Sequence, residues 1–377
     1  MTSWNRRAAI ALAGVVLLAG CKIVPKGPPG TVAPPPKEET GTLPSDGRHR
    51  VALLVPLSGA DAALGQSLEH ATQMALLDTN ARNLRVTTYD TGSGAATAAA
   101  RAEADGNRLV IGPLSEDEVA AVGRATRAPL LTFAAEPEAA ARDAFVLGTS
   151  VEQSVARSVS FAQGRGLRRF GALLPAGQYG ARAGEAFAQA VRAAGGTLVG
   201  TETYERSNPS IISAARRLKA RGGLDAVLIA DQPRYAVLAA PTLKAGSAGL
   251  RLIGTELWAG EASVARTAAL RGAWFAAVSD QRFGQFTTSY KARFGRAPYR
   301  AATMGYDAIL LAIRIARDWR VGAPFPTSRL ADRDGFVGLD GAFRFAPDGR
   351  IERALEVREA RAGTIAVVGP AAAKFGG

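Results

Sequence analysis

The stretch Val51 to Gly65, VALLVPLSGADAALG, constrains this chain more than any other. Five apolar residues, Val51 to Val55, stop at Pro56; a Ser-Gly turn follows, and a helical pattern starts near Ala62. A short unbroken apolar run closed by turn residues is the pattern of a strand buried on both faces of a parallel sheet. Leu64, Leu68, Ala71 and Ala75 then fall on one face of a helix. Strand, tight turn and helix open a βαβ unit. In sheets of such units ligands bind beyond the carboxyl ends of the strands, where Leu57, Ser58 and Gly59 stand. The phrase returns later: Arg50 to Pro56 is echoed by Arg169-Phe-Gly-Ala-Leu-Leu-Pro175. Gly177, Gly180 and a helical stripe of Ala183, Phe187, Ala190, Val191 and Ala194 follow it. Two α/β lobes, each opened by such a unit, are the simplest reading; chance likeness between two buried strands is the alternative.

A chain of 377 residues, 47% of them hydrophobic, fits two domains better than one. Its net charge of +13 comes mostly from arginine. The arginines are scattered, without basic runs or interleaved aromatics, so they give a diffuse field that favours anionic neighbours and no nucleic-acid footprint. A single cysteine, Cys21, excludes an intramolecular disulfide. Of the two histidines, His49 stands at the edge of a linker, and His70 reads as a helix-surface residue beside Glu69 rather than a ligand or base. A Ser-His-Asp set is therefore not expected. There is no P-loop, no HExxH and no cysteine nucleophile in a folded region. The expectation is a non-enzyme with no cofactor and no metal.

Met1 to Cys21 reads as a targeting segment. Arg6 and Arg7 give a positive start, and Ala8 to Leu18 is too short to span a bilayer comfortably. It ends in Leu18-Ala19-Gly20-Cys21, which resembles the bacterial lipobox, where the cysteine is lipidated and becomes the mature N-terminus. Acyl chains anchor at about 0.8 kcal/mol per buried CH₂. Lys22 rather than Asp after the cysteine points, by the sorting rule of enteric lipoproteins, to the outer membrane. Residues 22 to 47 hold Pro25, Pro28, Pro29, Pro34, Pro35, Pro36 and Pro44 and no apolar period, as an extended tether would.

Beyond the opening unit, strands and helices alternate. Leu84 to Tyr89 is a strand ending in Asp90. The Gly92-x-Gly94 after it lacks the third glycine of a dinucleotide fingerprint, Thr97 standing there. Strands follow at Leu109 to Gly112, Pro129 to Phe133 and Phe145 to Thr149. Between the first two of these, Glu116, Asp117 and Glu118 crowd the first turn of a helix, where the helix dipole favours them. The second half runs strand 169–175, helix 181–194, strand 197–204, helix 210–221, strand 225–230, a helix near 234–244, and strands 250–254 and 273–278. Helices at 286–294 and 304–319 come next. Such alternation predicts parallel sheets covered on both faces. Gly341 to Ala346, the Pro347-Asp348-Gly349-Arg350 turn and Ala354 to Glu359 read as a hairpin, and Thr364 to Val368 as one more strand.

Taken together, Val51–Gly65, Ile111-Gly112-Pro113, Gln178-Tyr179-Gly180, Gly254-Thr255-Glu256-Leu257-Trp258, Gly305-Tyr306-Asp307-Ala308 and the Gly338-to-Gly349 phrase resemble the type I periplasmic-binding-protein fold in its leucine-binding branch, over residues 50 to 368. With the lipobox and the Pro-rich tether they most resemble the penicillin-binding protein activator lipoproteins. The resemblance implies two doubly wound parallel-sheet lobes joined by a three-strand hinge, with a cleft between them. The expected division is 1–20 signal peptide, 21–47 tether, 48–149 with 281–325 first lobe, and 150–280 with 326–377 second lobe. By position, Ser58, Ser115 and Thr132 would face the cleft from the first lobe, and Tyr179, Asp231 and Glu256 from the second. In amino-acid binders of this fold, hydroxyls and backbone N–H groups hold the ligand carboxylate, an acid of the second lobe holds its ammonium, and Tyr179 would stack on the ligand. Leu57 and Ala134-Ala135 depart from that transport pattern. Two functions follow. One is a lipid-anchored protein of the periplasmic face that regulates a membrane-anchored peptidoglycan synthase. The other is a receptor delivering a small-molecule ligand, an amino acid or related anion, to an ABC transporter.

Overall fold

The computed structural model describes residues 47–139, 143–247 and 249–376. The expected signal peptide, the expected lipidation site Cys21 and the expected tether up to residue 46 lie outside the described residues. Among the described residues no helix is long and apolar enough to cross a membrane.

The first sheet is built from β1 (His49–Val55), β2 (Leu84–Asp90), β3 (Leu109–Ile111), β4 (Leu130–Thr132) and β5 (Ala144–Val146). All pair in parallel, in the order β2-β1-β3-β4-β5. Val51 to Val55 of β1 are fully buried, which is why that run carries no polar residue. α1 (Ala62–Asp78), α2 (Ala95–Ala104) and α3 (Glu116–Ala125) link the strands. α4 (Val151–Gly164) then opens the second lobe.

There β6 (Arg169–Pro175), β7 (Thr197–Tyr204), β8 (Ala226–Ile229), β9 (Arg251–Gly254) and β10 (Trp274–Ala277) pair in parallel, connected by α5 (Gln178–Ala193), α6 (Asn208–Ala220), α7 (Pro233–Lys244) and α8 (Ala262–Arg266). α4 and α5 bury one face of this sheet, α6 and α7 the other. α9 (Phe283–Phe294) and α10 (Ala302–Ile315) return to the first lobe. Ala308, Ile309, Leu311, Ala312 and Ile315 of α10 enter the core beneath β1.

The echoed phrase has a structural counterpart. A Cβ on Gly65 would lie 1.7 Å from Pro56 O, and one on Gly180 would lie 1.8 Å from Pro175 O. In each lobe the helix after the first strand packs onto the proline carbonyl at that strand's end so closely that only glycine fits.

The division of the C-terminal third differs from the expected one. β11 (Phe336–Gly338), β12 (Gly341–Phe345) and β13 (Ile351–Arg353) form their own antiparallel sheet. Phe336, Phe343, Phe345 and Ile351 sit in the core of the first lobe, Phe345 meeting Phe145 edge-on at 5.5 Å, and Val146 N donates to Gly349 O. Residues 326–353 therefore join the first lobe, because their aromatic side chains find apolar partners there. The hairpin around Asp348-Gly349 is β12 with β13. Ala354 to Glu359 instead crosses over, and β14 (Glu356–Arg361) and β15 (Thr364–Gly369) extend the second sheet to the order β15-β14-β10-β9-β8-β6-β7. His49, expected at a linker edge, is buried at the start of β1 and stacks on Trp319 at 4.2 Å.

Three segments connect the lobes: 147–150, 278–282 and 354–355. Arginines tie them. Arg353 donates from Nη2 to Leu147 O (2.6 Å), joining the first crossing to the third. Asp280 of the second crossing accepts Arg300, which precedes α10, and Arg358 of β14, one guanidinium from each lobe.

Candidate functional site

The carboxyl ends of the parallel strands place the expected residues, and all but Ser115 bond to partners close by through their side chains. Ser58 follows β1 and is exposed; its Oγ donates to Asp90 Oδ2 at 2.7 Å. Asp90 also accepts Leu57 N at 2.7 Å and Gly92 N at 2.8 Å, so one carboxylate stitches the turns after β1 and β2 together. Those N–H groups hold the Asp90 carboxyl below its usual range. Thr132 ends β4 fully buried, donating to Pro113 O (3.0 Å) and accepting Ala134 N (3.1 Å). Ser115 stands at the N-cap of α3, exposed, with no capping bond from its side chain.

In the second lobe two clusters form. Asp231, buried after β8, accepts Tyr204 Oη at 2.9 Å, Arg206 Nε at 2.9 Å and Gln232 N at 2.8 Å. Its lone pairs are largely taken, and burial beside this carboxylate pushes the Tyr204 hydroxyl pKa up. Tyr179 and Glu256 form the other cluster. Tyr179 Oη donates to Glu256 Oε1 at 2.8 Å and lies 2.9 Å from Thr255 Oγ1, which is left to act as donor in turn. Glu256 Oε2 is buried and has no partner among the described residues. Burial pushes the Glu256 carboxyl up to about 7 despite the bond from Tyr179. Burial, then the Glu256 charge, push the Tyr179 hydroxyl up as well. Trp258 joins the clusters by donating Nε1 to Asp231 O at 2.9 Å.

Tyr179, Thr255 and Glu256 thus come together, and Asp231 stands beside them with Tyr204 and Arg206. Among the described residues, no hydrogen bond links Ser58, Ser115 or Thr132 to that group. A contact between the strand ends of the two lobes is made by a residue the sequence did not single out. Arg182, one turn along α5 from Tyr179, pairs with Glu152 of its own lobe at 3.0 Å and reaches Glu136 (3.6 Å) and Glu138 (4.0 Å), which follow β4. The i+3 spacing from Tyr179 was the signal that could have found it. Among the described residues no group of three or more His, Cys, Asp or Glu could hold a metal.

The family model described as periplasmic binding protein matches residues 49–364. Among solved structures, a candidate branched-chain amino acid ABC transporter from Rhodospirillum rubrum superposes with a TM-score of 0.76 at 22% identity, over 85% of this chain and 100% of that one. The leucine binding protein LivK of Thermotoga maritima gives 0.61 at 16% identity, over 87% and 98%. Full-length LpoA from Haemophilus influenzae gives 0.68 at 19% identity, over 86% of this chain and 59% of LpoA. An uncharacterized protein of Rickettsia prowazekii is 27% identical over 172 residues, 44% of this chain. The chain spans about half the length of that curated relative, 46%.

Proposed function

The chain belongs to the periplasmic binding protein family, and from that premise we propose that it works without catalysis, as a lipid-anchored envelope protein that regulates peptidoglycan synthesis by contact with a membrane-anchored synthase. The chief support is the state of the polar groups at the strand ends. The Ser58 and Thr132 hydroxyls and the Asp231 carboxylate bond within their own lobes. A receptor for a free amino acid needs such groups available to the ligand, since a buried polar group without a partner is costly. The likeness to LpoA, a penicillin-binding protein activator, supports the same direction, as does the lipobox-like Leu18 to Cys21. Neither histidine stands among the strand-end clusters: His49 stacks on Trp319, and His70 stacks on Phe294 at 3.9 Å. That supports a role without bond-breaking chemistry.

One observation favours the receptor reading: Glu256 Oε2 is buried and unpartnered beside Tyr179. A ligand ammonium there would satisfy it. The two readings separate experimentally. Capture of a class A penicillin-binding protein by the anchored chain, with no thermal shift across amino acids and cell-wall fragments, supports the regulator. A shift that grows as RT ln(1 + [L]/Kd) with one amino acid, and no capture, supports the receptor. Mass spectrometry of the envelope form, showing acyl groups on Cys21 or their absence, tests the anchor.

A further inference from the structure

A fourth link joins the lobes besides the three crossings. β15 ends at Gly369 in the second lobe, and residues 370–376 run on from it without helix or strand. The start of this segment is fixed to the second lobe. Arg157 of α4 donates from Nη2 to Pro370 O at 3.1 Å and from Nε to Leu355 O of the third crossing at 3.0 Å. The end of the segment lies on the first lobe. The Arg344 guanidinium of β12 stands 4.8 Å from the centre of the Phe375 ring. Glu352 of β13 holds that guanidinium in place, accepting Arg344 Nε at 2.7 Å. Gly376 lies against Asp334, which precedes β11, so closely that a Cβ would collide with the carboxylate.

Sheet topology says which way such a link acts. The second sheet has the order β15-β14-β10-β9-β8-β6-β7. Tyr179, Asp231 and Glu256 follow β6, β8 and β9. The second crossing leaves β10 and the third enters β14, and β15 lies beyond them both. The crossings therefore stand between the strand-end clusters and the segment 370–376. Asp280 and Arg282 of the second crossing and Pro370 and Ala372 of the segment line one groove of about 630 Å³, so the segment is spaced from the crossing.

Lobes joined by short segments rotate about them, because few contacts oppose the motion. A rotation that brings the strand tips together swings β15 and β12 apart on the opposite side of the pivot. The segment cannot follow far, since a chain spans at most about 3.3–3.6 Å per residue. A rotation in the other sense slackens it and meets no resistance from it.

We propose that residues 370–376 are a strap that limits how far the two lobes close. Closure beyond the present arrangement must pull Phe375 off Arg344 and Gly376 off Asp334. The strap acts on the hinge whichever of the two roles the cleft serves, so it stands apart from the choice between regulator and receptor.

Pulsed dipolar EPR tests it on the full chain carrying Cys21→Ser, with spin labels at Ser93→Cys and Ser207→Cys. Both positions are exposed. They follow β2 and β7, the strands farthest from the crossings in their sheets, where rotation moves the labels most. Phe375→Ala and, more strongly, deletion of residues 370–377 should shift the label distances to shorter values. Lys374→Ala changes an exposed strap residue and leaves the ring contact intact, so the distances should stay as they are. Circular dichroism checks that each variant folds, and Phe375→Ala decides the matter if the deletion does not. Unchanged or longer distances in folded Phe375→Ala would overturn the proposal, as would an equal shift from Lys374→Ala.

Discussion

Arg300 and Asp340 form an ion pair at 2.7 Å, with side chains only 16% and 5% exposed. Arg300 also holds Asp280 at 3.1 Å, and Thr303 Oγ1 donates to the other Asp340 oxygen at 2.9 Å. The second crossing and the β11–β12 turn are thus fastened to the start of α10 by one guanidinium. Replacing Arg300 with Met leaves Asp340 buried without its cation. Loss of one partner of a buried pair costs about 3–5 kcal/mol. Urea denaturation should show a drop of that order for Arg300→Met, with a smaller loss for Arg300→Lys, whose point charge cannot bridge both carboxylates.

Glu256 makes the fold pH-dependent in a direction opposite to most carboxylates. Burial raises its folded pKa to about 7, above the ordinary 4.5 of an unfolded glutamate. The folded state then binds more protons than the unfolded state between those values, so stability falls as pH rises through that window. Glu256→Gln keeps an acceptor for Tyr179 and removes the ionisation. It should therefore stabilise the protein at pH 8 by about 1–3 kcal/mol and change little at pH 4.5. Parallel melts at the two pH values measure this, and equal shifts at both would refute it.

Asp90 works in the ordinary sense. Its lowered pKa, set by the Gly92 and Leu57 N–H groups, contributes stability that is present above the unfolded carboxyl pKa and lost as pH falls through the folded one. Asp90→Asn should flatten the acid limb of the stability curve below about pH 4 and raise hydrogen exchange at the Leu57 and Gly92 amides. Wild-type protection at those amides in the variant would show that the carboxylate does not hold the turn.

Two glycines on helices should respond oppositely to alanine. At Gly65 the new methyl would meet the Pro56 carbonyl, whereas at Gly284 nothing lies within 4 Å. Gly65→Ala should cost upwards of about 3 kcal/mol or prevent folding. Gly284→Ala should gain about 0.5–1 kcal/mol from helix propensity. Chemical denaturation of both variants checks the pair.

The alternation of strands and helices was legible because it is written locally. Val51 to Val55 is apolar since both faces of β1 are covered, and the stripe Leu68, Ala71, Ala75 is buried as its spacing requires. The repeated opening phrase, and with it two lobes, could be read for the same reason. The tips of the strands could be located too, and the family resemblance then named Tyr179 and Glu256, by position, as residues facing a cleft, without saying that they would meet.

What the residues at those tips touch was decided only by folding. Ser58 meets Asp90 and Asp231 meets Tyr204 and Arg206 through strand pairings and loop paths that no local pattern encodes. The placing of Phe336, Phe343 and Phe345 against the first lobe likewise depends on an apolar surface far back in the chain. Periodicity reports how a segment faces its nearest neighbours along the backbone. Hydrogen bonds, ion pairs and core membership depend on which distant segment arrives opposite, and the three-dimensional arrangement alone supplies that.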